Sequence, residues 1–380
     1  MPRSSCEVVV VGGGVIGCAI ALRLADDGWR VLVLERARPG AGASSAAAGM
    51  IAPQAEATGV TPLLDLGLLS RSRYEEWVAE IVDRGGEDTG YRRTGLVVVA
   101  LDAKELSRLE ERRRWQQSRG LRVESIDREA IASRAGGLGD EITGGLFLPD
   151  ESLVNPVRLM AALAAAAGRS GVRFRAGTAA DAILQRSGRA VGVRVGSETV
   201  RADLVVIAAG CWSAQFAADV PDLPAIRPER GQIVELGPSG VVPACILYSR
   251  IGYVAPRDRH VVVGSTSEDA GFDARPTASG VSGLLLTAAR LRPDLMTARF
   301  VGAWGGLRPV GADRLPTLGM SRLDGCVIAT GHHRNGILLA PVTADIVGAL
   351  VAGRQPGLDL TPFAPGRDML GVSAPAANAT

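Results

Sequence analysis

Three glycines near the start of the chain have the spacing of a phosphate-binding turn. Gly12, Gly14 and Gly17 fit G-x-G-x-x-G directly after four consecutive valines. In this pattern the first glycine permits a tight turn, the second lets backbone approach a pyrophosphate, and the third lets a helix pack closely on a strand. Glu35 follows about twenty residues later, where a carboxylate can accept hydrogen bonds from ribose hydroxyls. The acid disfavours a 2′-phosphate, so these residues predict a dinucleotide site that does not take NADP.

The elements around these glycines have the order that such a site needs. Residues 8–11 favour a strand, residues 18–25 favour a helix that ends at Gly28, and residues 30–34 favour a second strand. The N-terminus of the helix would present unpaired N–H groups and a positive dipole to the phosphates. With 48 glycines in the chain, the alternative is a glycine-rich turn in an ordinary α/β domain. The complete strand–helix–strand order favours nucleotide binding.

The composition limits the classes of protein to which the chain can belong. Its 380 residues exceed what one hydrophobic core usually holds, so two domains are expected. The net charge of +2 gives no reason to expect a nucleic acid or an anionic membrane as a partner. No uninterrupted apolar stretch is long enough to span a bilayer. The apolar run after Arg3 is better explained by the glycine turn than by a signal peptide.

The cysteines indicate a reducing compartment. Five of them are scattered along the chain, and no two form a C-x-x-C pair. Their odd number and their spacing predict neither a disulfide framework nor a metal site. We therefore expect a cytoplasmic protein that binds no metal.

A stretch of small residues follows the acid. Small side chains would let backbone approach a flat ligand closely, and two hydroxyl groups could reach a phosphate. The residues concerned are Ala43, Ser44, Ser45, Ala48, Gly49 and Met50. The alternative is a flexible linker, but an alanine-rich segment does not stay extended without a reason.

Nucleotide-type elements occur at the start, in the middle and near the end of the chain, and the segments between them have a different pattern. Residues 204–208 and 326–330 are apolar strands, whereas the strands within 231–264 are typical of an antiparallel sheet. We predict an α/β plus α+β fold in which a Rossmann-like nucleotide-binding domain is interleaved with an antiparallel-sheet substrate domain. The first would comprise residues 1–85, 152–225 and 318–365, and the second residues 86–151 and 226–317. Residues 366–380 would form a disordered tail.

Three stretches together resemble the FAD-dependent amine and amino-acid oxidases, which include D-amino acid oxidase, monomeric sarcosine oxidase and glycine oxidase. The first stretch is VVVVGGGVIG with its acid, and the second is ASSAAAGMIAPQAE. The third pairs WGGLRPVGADRLPTLG with ATGHHRNGILLAPVTA. The second and third are most similar to the glycine oxidases of thiamine biosynthesis. This resemblance covers nearly the whole chain.

The resemblance implies that FAD is the cofactor and assigns residues to it. Val15 and Ile16 would lie over the pyrophosphate, and Glu35 and Arg36 would lie at the ribose. The backbone of Ala180 would meet the adenine, and the small residues of 43–50 would line the flavin. The pyrimidine end of the flavin would be wrapped by His332, His333, Arg334, Asn335, Gly336, Ile337 and Leu338. A helix that begins at about Gly336 would also direct its N–H groups there.

The resemblance also implies a substrate site. Arg308 matches the arginine that grips the substrate carboxylate, which suits a guanidinium because it binds a carboxylate through two parallel hydrogen bonds. Tyr253 matches an active-site tyrosine, although a packing role in a strand is an alternative. Arg334 matches a residue beside the substrate amine, and Met50 would limit the pocket beyond Cα. The two neighbouring histidines are expected to be loop residues without a catalytic part.

Some residues depart from the family pattern. Ile251 and Ser267 stand where glycine oxidases often carry a histidine and a methionine, which leaves the substrate less defined than the reaction. Gly306 stands near the place of the cysteine that holds flavin covalently in sarcosine oxidase, so non-covalent FAD is expected.

The expected reaction is oxidation of glycine and small amines by hydride transfer from Cα to flavin N5, with molecular oxygen as acceptor and a homo-oligomer as the assembly. The alternatives are a D-amino acid or sarcosine oxidase or dehydrogenase, and a flavin-binding module without activity.

Overall fold

The computed structural model describes residues 6–238, 240 and 242–367. Within these ranges the strands are β1 (Val8–Val11), β2 (Val31–Leu34), β3 (Met50–Ile51), β4 (Leu96–Ala100), β5 (Glu124–Asp127), β6 (Gly144–Leu148), β7 (Ser152–Leu153), β8 (Arg173–Arg175), β9 (Ala182–Arg186), β10 (Arg189–Val195), β11 (Glu198–Arg201), β12 (Leu204–Ile207), β13 (Arg227–Gly237), β14 (Ile246–Ser249), β15 (Gly252–Arg257), β16 (His260–Gly264), β17 (Arg299–Val310), β18 (Thr317–Met320) and β19 (Cys326–Thr330).

The helices alternate with these strands. They are α1 (Val15–Asp26), α2 (Ala43–Ala46), α3 (Pro53–Glu56), α4 (Pro62–Gly85), α5 (Ala103–Ser118), α6 (Arg128–Ala135), α7 (Pro156–Arg169), α8 (Ala278–Leu291) and α9 (Gly336–Val351). Short 3₁₀ helices span Gly210–Phe216, Pro293–Thr297 and Thr361–Phe363. Among the helices of the described ranges, none is both long and apolar enough to cross a bilayer.

A six-stranded sheet carries the glycine turn. Its strand order is β18-β19-β12-β1-β2-β8, and all pairs are parallel except β18 with β19. The four valines of β1 are buried on both faces of this sheet: Val8 and Val10 pack with α1, α4, α7 and α9, while Val9 and Val11 pack beneath β9 to β11. A central parallel strand must be apolar on both faces, which explains the unbroken valine run.

An eight-stranded sheet forms the second layer of the molecule. Its order is β17-β13-β16-β15-β14-β4-β6-β5, and its pairs are antiparallel except the parallel pair of β14 and β4. One face packs against α8, and the other carries Tyr253 and Ile233 together with the apolar residues of α3. The second face therefore lies toward the segment that follows the glycine turn.

The two sheets confirm the predicted fold class, a Rossmann-like domain with a sheet domain. The bounds of the two domains stay a prediction. Two elements have no clear signal in the sequence, namely α8, which contains two glycines, and the long strand β17, which contains three. Glycine is unfavourable in helix and strand interiors, so packing rather than intrinsic propensity forms both elements.

The predicted disordered tail is wrong at its first residues. Arg367 is buried, and its guanidinium forms an ion pair with Asp313 at 2.7 Å and donates to Thr317 Oγ1 at 2.8 Å. Composition alone suggested disorder here, but a paired cation holds this end of the chain against β18. The rest of the predicted tail, residues 368–380, lies outside the described residues.

Candidate active site

The glycine turn is built from backbone that leaves no space for side chains. Gly12 has a φ of +108°, and a Cβ there would lie 2.4 Å from the carbonyl oxygen of Ala208 at the end of β12. A Cβ on Gly17 would lie 1.9 Å from the carbonyl oxygen of Gly12. The turn and the close packing of α1 therefore require both glycines. The Val15 N–H, in the first turn of α1, donates to the hydroxyl of Ser44 at 2.9 Å.

The side chain of Glu35, which follows β2, stabilises the same turn. Its carboxylate accepts hydrogen bonds from the N–H groups of Gly13 and Ala37, each at 2.8 Å. The guanidinium of Arg36 lies over the ring of Trp212, 4.4 Å from its centroid. These contacts direct a negative charge and an aromatic ring into the region predicted to hold the ribose.

The small-residue segment forms a short helix and a strand around a second tight turn. Gly49 has a φ of +88°, and a Cβ there would lie 1.9 Å from the carbonyl oxygen of Val154. Met50 follows in β3, pairs with Leu153 and is half-buried. Across the cavity, a Cβ on Gly306 of β17 would lie 2.6 Å from the Cβ of Ala46. The two segments are therefore packed closely together at this point.

Helix α9 begins at this cavity. Asn335 is its N-cap residue and makes no side-chain capping bond, so the first N–H groups of the helix lack a side-chain acceptor from the cap. His332, in the preceding loop, is buried and hydrogen-bonds Thr343 at 3.1 Å. Burial lowers the pKa of His332 to about 3, so its ring is neutral. The neutral ring of His332 bonds a residue of α9 and so has a packing role.

Arg308 projects from β17 into a polar socket. Its Nη1 donates to the carbonyl oxygen of Thr266 at 2.9 Å and to Glu229 Oε1 at 3.3 Å, and its Nη2 donates to Ser265 Oγ at 2.8 Å. A Cβ on Gly231 would lie 2.1 Å from Nη2, so only glycine leaves the guanidinium its space. Burial and the charge of Arg334 lower the pKa of Arg308, but an arginine stays protonated at neutral pH.

Glu229 links Arg308 to the loop before α9. Its Oε1 also bonds Nε2 of His333 at 3.0 Å, and the Glu229 side chain is 5% exposed. The bond to His333 is the main cause that holds the pKa of Glu229 at about 2, so the carboxylate is ionised. His333 has a φ of +48°, which is uncommon for a residue other than glycine, and burial lowers its pKa.

Tyr253 and Arg334 complete the polar end of the cavity. Tyr253 is buried, and burial raises the pKa of its phenol, which therefore stays neutral. Arg334 forms an ion pair with Glu56 at 3.0 Å, and the charge of Glu56 raises the pKa of Arg334. A neutral hydroxyl and two guanidiniums thus lie in one cavity.

One cavity brings together most of the residues predicted for the site. It is lined by Gly12, Gly14, Val15, Ile16, Glu35, Arg36, Ala43, Ser44, Ala48, Gly49, Met50, Ala180, Tyr253, Arg308, His332, His333, Arg334, Asn335, Gly336 and Ile337. The cavity therefore runs from the glycine turn to the socket of Arg308. Whether each of these residues contacts a cofactor or a substrate stays a prediction.

Three of the residues assigned to the cofactor are not among those that line this cavity, and their assignment stays a prediction. Gly17 lies against Gly12, where it serves the packing of α1. The Oγ of Ser45 lies near Gly40, where it would be 3.1 Å from an added Cβ. The side chain of Leu338 packs against Gly67 of α4.

The two departures from the family pattern also lie outside the cavity lining. Ile251 packs at the edge of the core beneath α8. Ser267 hydrogen-bonds Glu229, so it acts on the charge behind Arg308 rather than on the pocket wall.

Several residues of the site had no assigned role in the sequence. Glu229, Gly231 and Ser265 surround Arg308, and Trp212 stacks with Arg36. Their neighbours are distant in the chain, so no local pattern indicates them. Glu56 is the exception, because it stands at the end of the small-residue stretch that carries the resemblance.

The residues present suit a flavin dinucleotide. At one end of the cavity, Gly12 and Gly14 line the N-terminus of α1, whose positive dipole suits a pyrophosphate. In the middle, the cavity is lined by small residues and Gly306, whose short side chains would let a ring system approach the backbone. At the other end, the N-terminus of α9 supplies a positive dipole for the electron-rich edge of a ring system.

Known proteins are similar to this chain in sequence. Residues 7–350 match the family model described as DAO, FAD dependent oxidoreductase. The chain is 36% identical over 363 residues to the bifunctional protein ThiO/ThiG of Nostoc sp., covering 92% of this chain and 53% of that protein. It is 35% identical to a glycine oxidase of Geobacillus kaustophilus, covering 94% of this chain and 96% of that protein. The chain thus spans about half the length of the bifunctional relatives.

A solved structure extends this similarity to three dimensions. The crystal structure of glycine oxidase from Geobacillus kaustophilus matches with a TM-score of 0.92 at 34% sequence identity, covering 96% of this chain and 99% of that one. The family match spans the glycine turn, the small-residue segment and the Arg308 socket alike. The chain therefore belongs to the DAO family of FAD dependent oxidoreductases.

Proposed function

We propose that this chain catalyses the oxidative deamination of glycine and small amines, in which glycine, water and oxygen give glyoxylate, ammonia and hydrogen peroxide. The observation that carries the proposal is the half-buried guanidinium of Arg308 in the same cavity as the glycine turn. A protein that only bound a flavin would have no use for a largely desolvated cation that suits a carboxylate.

Each polar residue of the cavity has a role in this proposal. Arg308 binds the substrate carboxylate through two parallel hydrogen bonds and so fixes the direction of the Cα–H bond. The hydroxyl of Tyr253 adds a hydrogen bond at the same end, and Arg334 lies beside the amine. When bound, FAD accepts the hydride that leaves Cα, through its N5 atom. The N-terminus of α9 supplies a positive dipole at the pyrimidine end.

The proposed residues also predict a substrate range. Met50 is a bulky apolar residue of the cavity lining, so it would leave little room beyond Cα. We expect oxidation of glycine, sarcosine and D-alanine, poor oxidation of D-phenylalanine, and none of L-alanine, whose side chain would occupy the place of the reacting Cα–H. Measurement of kcat/KM for these five compounds tests this order. If D-phenylalanine reacted faster than glycine, a general D-amino acid oxidase would replace this proposal.

A spectrum of the purified protein tests the reaction itself. We expect a yellow protein whose absorbance bleaches on anaerobic addition of glycine, and peroxide formation after air is admitted. Bleaching without peroxide would indicate a dehydrogenase. A yellow protein that no amine bleaches would indicate a flavin-binding module and would exclude the oxidase.

We also propose that the flavin is held without a covalent bond. Residue 306 is a glycine and has no thiol that could bond to the flavin. All yellow colour should therefore enter the supernatant on acid precipitation. The five cysteines are free and buried, which supports a cytoplasmic location. The resemblance to glycine oxidases supports two further proposals, a supply of glycine imine for the thiazole of thiamine and assembly as a homo-oligomer.

A further inference from the structure

His333 and Glu229 form a buried dyad that the reaction above does not use. Nε2 of His333 lies 3.0 Å from Glu229 Oε1, and the side chain of His333 is 7% exposed. An ionised carboxylate can only accept a hydrogen bond, so Nε2 must carry the hydrogen. In a neutral imidazole the other nitrogen then holds a lone pair. Glu229 thereby fixes the tautomer in which Nδ1 is the basic atom.

The charged groups around His333 favour a neutral ring. Glu229 approaches from β13 and raises the pKa of His333, whereas Arg308 of β17 and the adjacent Arg334 lower it. Arg314 lies farther away, with its Nη2 3.9 Å from Glu229. Burial exceeds all of these effects and lowers the pKa of His333 below its ordinary value. The ring is therefore unprotonated at neutral pH, which is the form that a general base requires.

The proposed substrate brings a proton that must leave before oxidation. Glycine in neutral water carries an ammonium group, and Cα cannot release a hydride until the nitrogen lone pair is free to form the C=N bond. A base within the cavity would let the enzyme use the abundant ammonium form rather than the rare neutral amine.

We propose that His333, oriented by Glu229, is the general base that takes a proton from the substrate ammonium group. This inference rests on the proposed function. One N–H bond of the substrate breaks, a new N–H bond forms at Nδ1, and the electron pair stays on the substrate nitrogen. That pair would form the C=N bond as the Cα–H bond breaks, with bound FAD as the hydride acceptor. The imine then takes up water to give glyoxylate and ammonia.

The dependence of kcat/KM on pH distinguishes a base from a bystander. With the base present, the ammonium form reacts, so kcat/KM for glycine should be level between about pH 7 and pH 9. In His333→Ala only the neutral amine reacts, so kcat/KM should rise about tenfold for each pH unit over that range. Added imidazole should restore the level profile in this variant. A wild-type profile that already rises with unit slope would overturn the proposal.

A matched variant and a second ligand separate catalysis from structure. His260 also bonds a glutamate, Glu235 at 2.9 Å, but it lies outside the cavity lining, so His260→Ala should keep the wild-type profile. Acetate carries a carboxylate but no amine. Its Kd, measured from the flavin spectrum, should change less than twofold in His333→Ala. A much weaker acetate complex, with no rescue by imidazole, would make His333 a positioning residue and overturn its role as base.

The outcomes also separate this inference from the proposed function. If the wild-type protein oxidises glycine but His333→Ala has the same pH profile, only the base is excluded. If no amine bleaches the wild-type protein at any pH, the oxidase proposal fails, and the proposal of a general base fails with it.

Discussion

The two ends of the cavity are built from different materials. At the nucleotide end, backbone and small residues leave space, and a Cβ on Gly12 or Gly49 would collide with a carbonyl oxygen. At the substrate end, buried and half-buried charged side chains bond to one another, as Glu229 does to Arg308 and His333. The nucleotide end therefore depends on glycines that lack a Cβ. The substrate end depends on charged side chains that must be paired with one another.

This difference predicts different failures. An added methyl group at the nucleotide end meets backbone that cannot move, so the cofactor should be lost as a whole. A removed charge at the substrate end leaves the cofactor in place and weakens one contact. Variants at the two ends should therefore separate loss of colour from loss of affinity for substrate.

The largest effect is expected for Gly12→Ala. The new Cβ would lie 2.4 Å from the carbonyl oxygen of Ala208 and would impose a φ of +108° on an alanine. We expect protein without bound FAD, measured as the ratio of flavin absorbance to protein. Gly28→Ala is the control, because Gly28 also has a positive φ, +92°, but no atom lies within 4 Å of its Cβ. A yellow Gly12→Ala protein would show that the turn can adapt.

Arg308→Ala should give the next largest effect. It removes a charge-assisted pair of hydrogen bonds worth roughly 3 to 5 kcal/mol, which corresponds to a rise of about a hundredfold or more in KM for glycine. The FAD content should stay that of the wild type. Arg93→Ala is the control, because Arg93 is an exposed arginine paired only at the surface with Glu75. An unchanged KM would remove Arg308 from the substrate site.

The same comparison explains what could be predicted from the sequence. The glycine turn is a local backbone requirement, so its residues appear at fixed spacing within one strand–helix–strand unit. Arg308 was assigned by resemblance, but Glu229 lies 79 residues before it in the chain and Ser265 lies 43 residues before it. Only the register of β13 against β17 brings Glu229 opposite Arg308. Pairing of this kind has no signal in local spacing.

The predicted cofactor contacts divide in the same way. Residues whose backbone matters, such as Gly49 and Ala180, line the cavity as expected. Ser45 and Leu338 belong to the same stretches, but neither is among the residues that line the cavity. The direction of a side chain within a turn or a helix depends on its tertiary partners, which a motif does not specify.

Gly231→Ala should show that the substrate end also contains one position that requires glycine. Its Cβ would lie 2.1 Å from Arg308 Nη2 and would displace the guanidinium without removing it. Loss of one hydrogen bond to a charged group predicts a rise in KM of roughly tenfold to a hundredfold, smaller than for deletion of Arg308. Gly302→Ala on β17 is the control, since no atom lies within 4 Å of its Cβ. Equal KM values for the two variants would show that the Arg308 guanidinium can move aside without loss of affinity for the substrate.

The smallest effect concerns stability at acid pH. Because the pKa of Glu229 is held at about 2 in the folded protein, below its ordinary value of about 4.5, this carboxylate stabilises the fold above about pH 4.5. The contribution decreases as the pH falls through 4.5 toward 2, because the unfolded chain then binds a proton that the folded protein does not. Urea unfolding should show that the wild type loses about 1 kcal/mol more than Glu229→Gln between pH 6 and about pH 3.5.

The control for this measurement is an exposed pair. Glu75→Gln removes a carboxylate that meets Arg93 at the surface, where solvent screens the charges, so its stability should follow the wild-type curve. If Glu229→Gln also followed that curve, Glu229 would not be ionised and paired in the folded protein. The substrate end would then depend, like the nucleotide end, on shape rather than on charge. Divergence of the two curves would instead show that charge pairing stabilises this end of the cavity even without substrate.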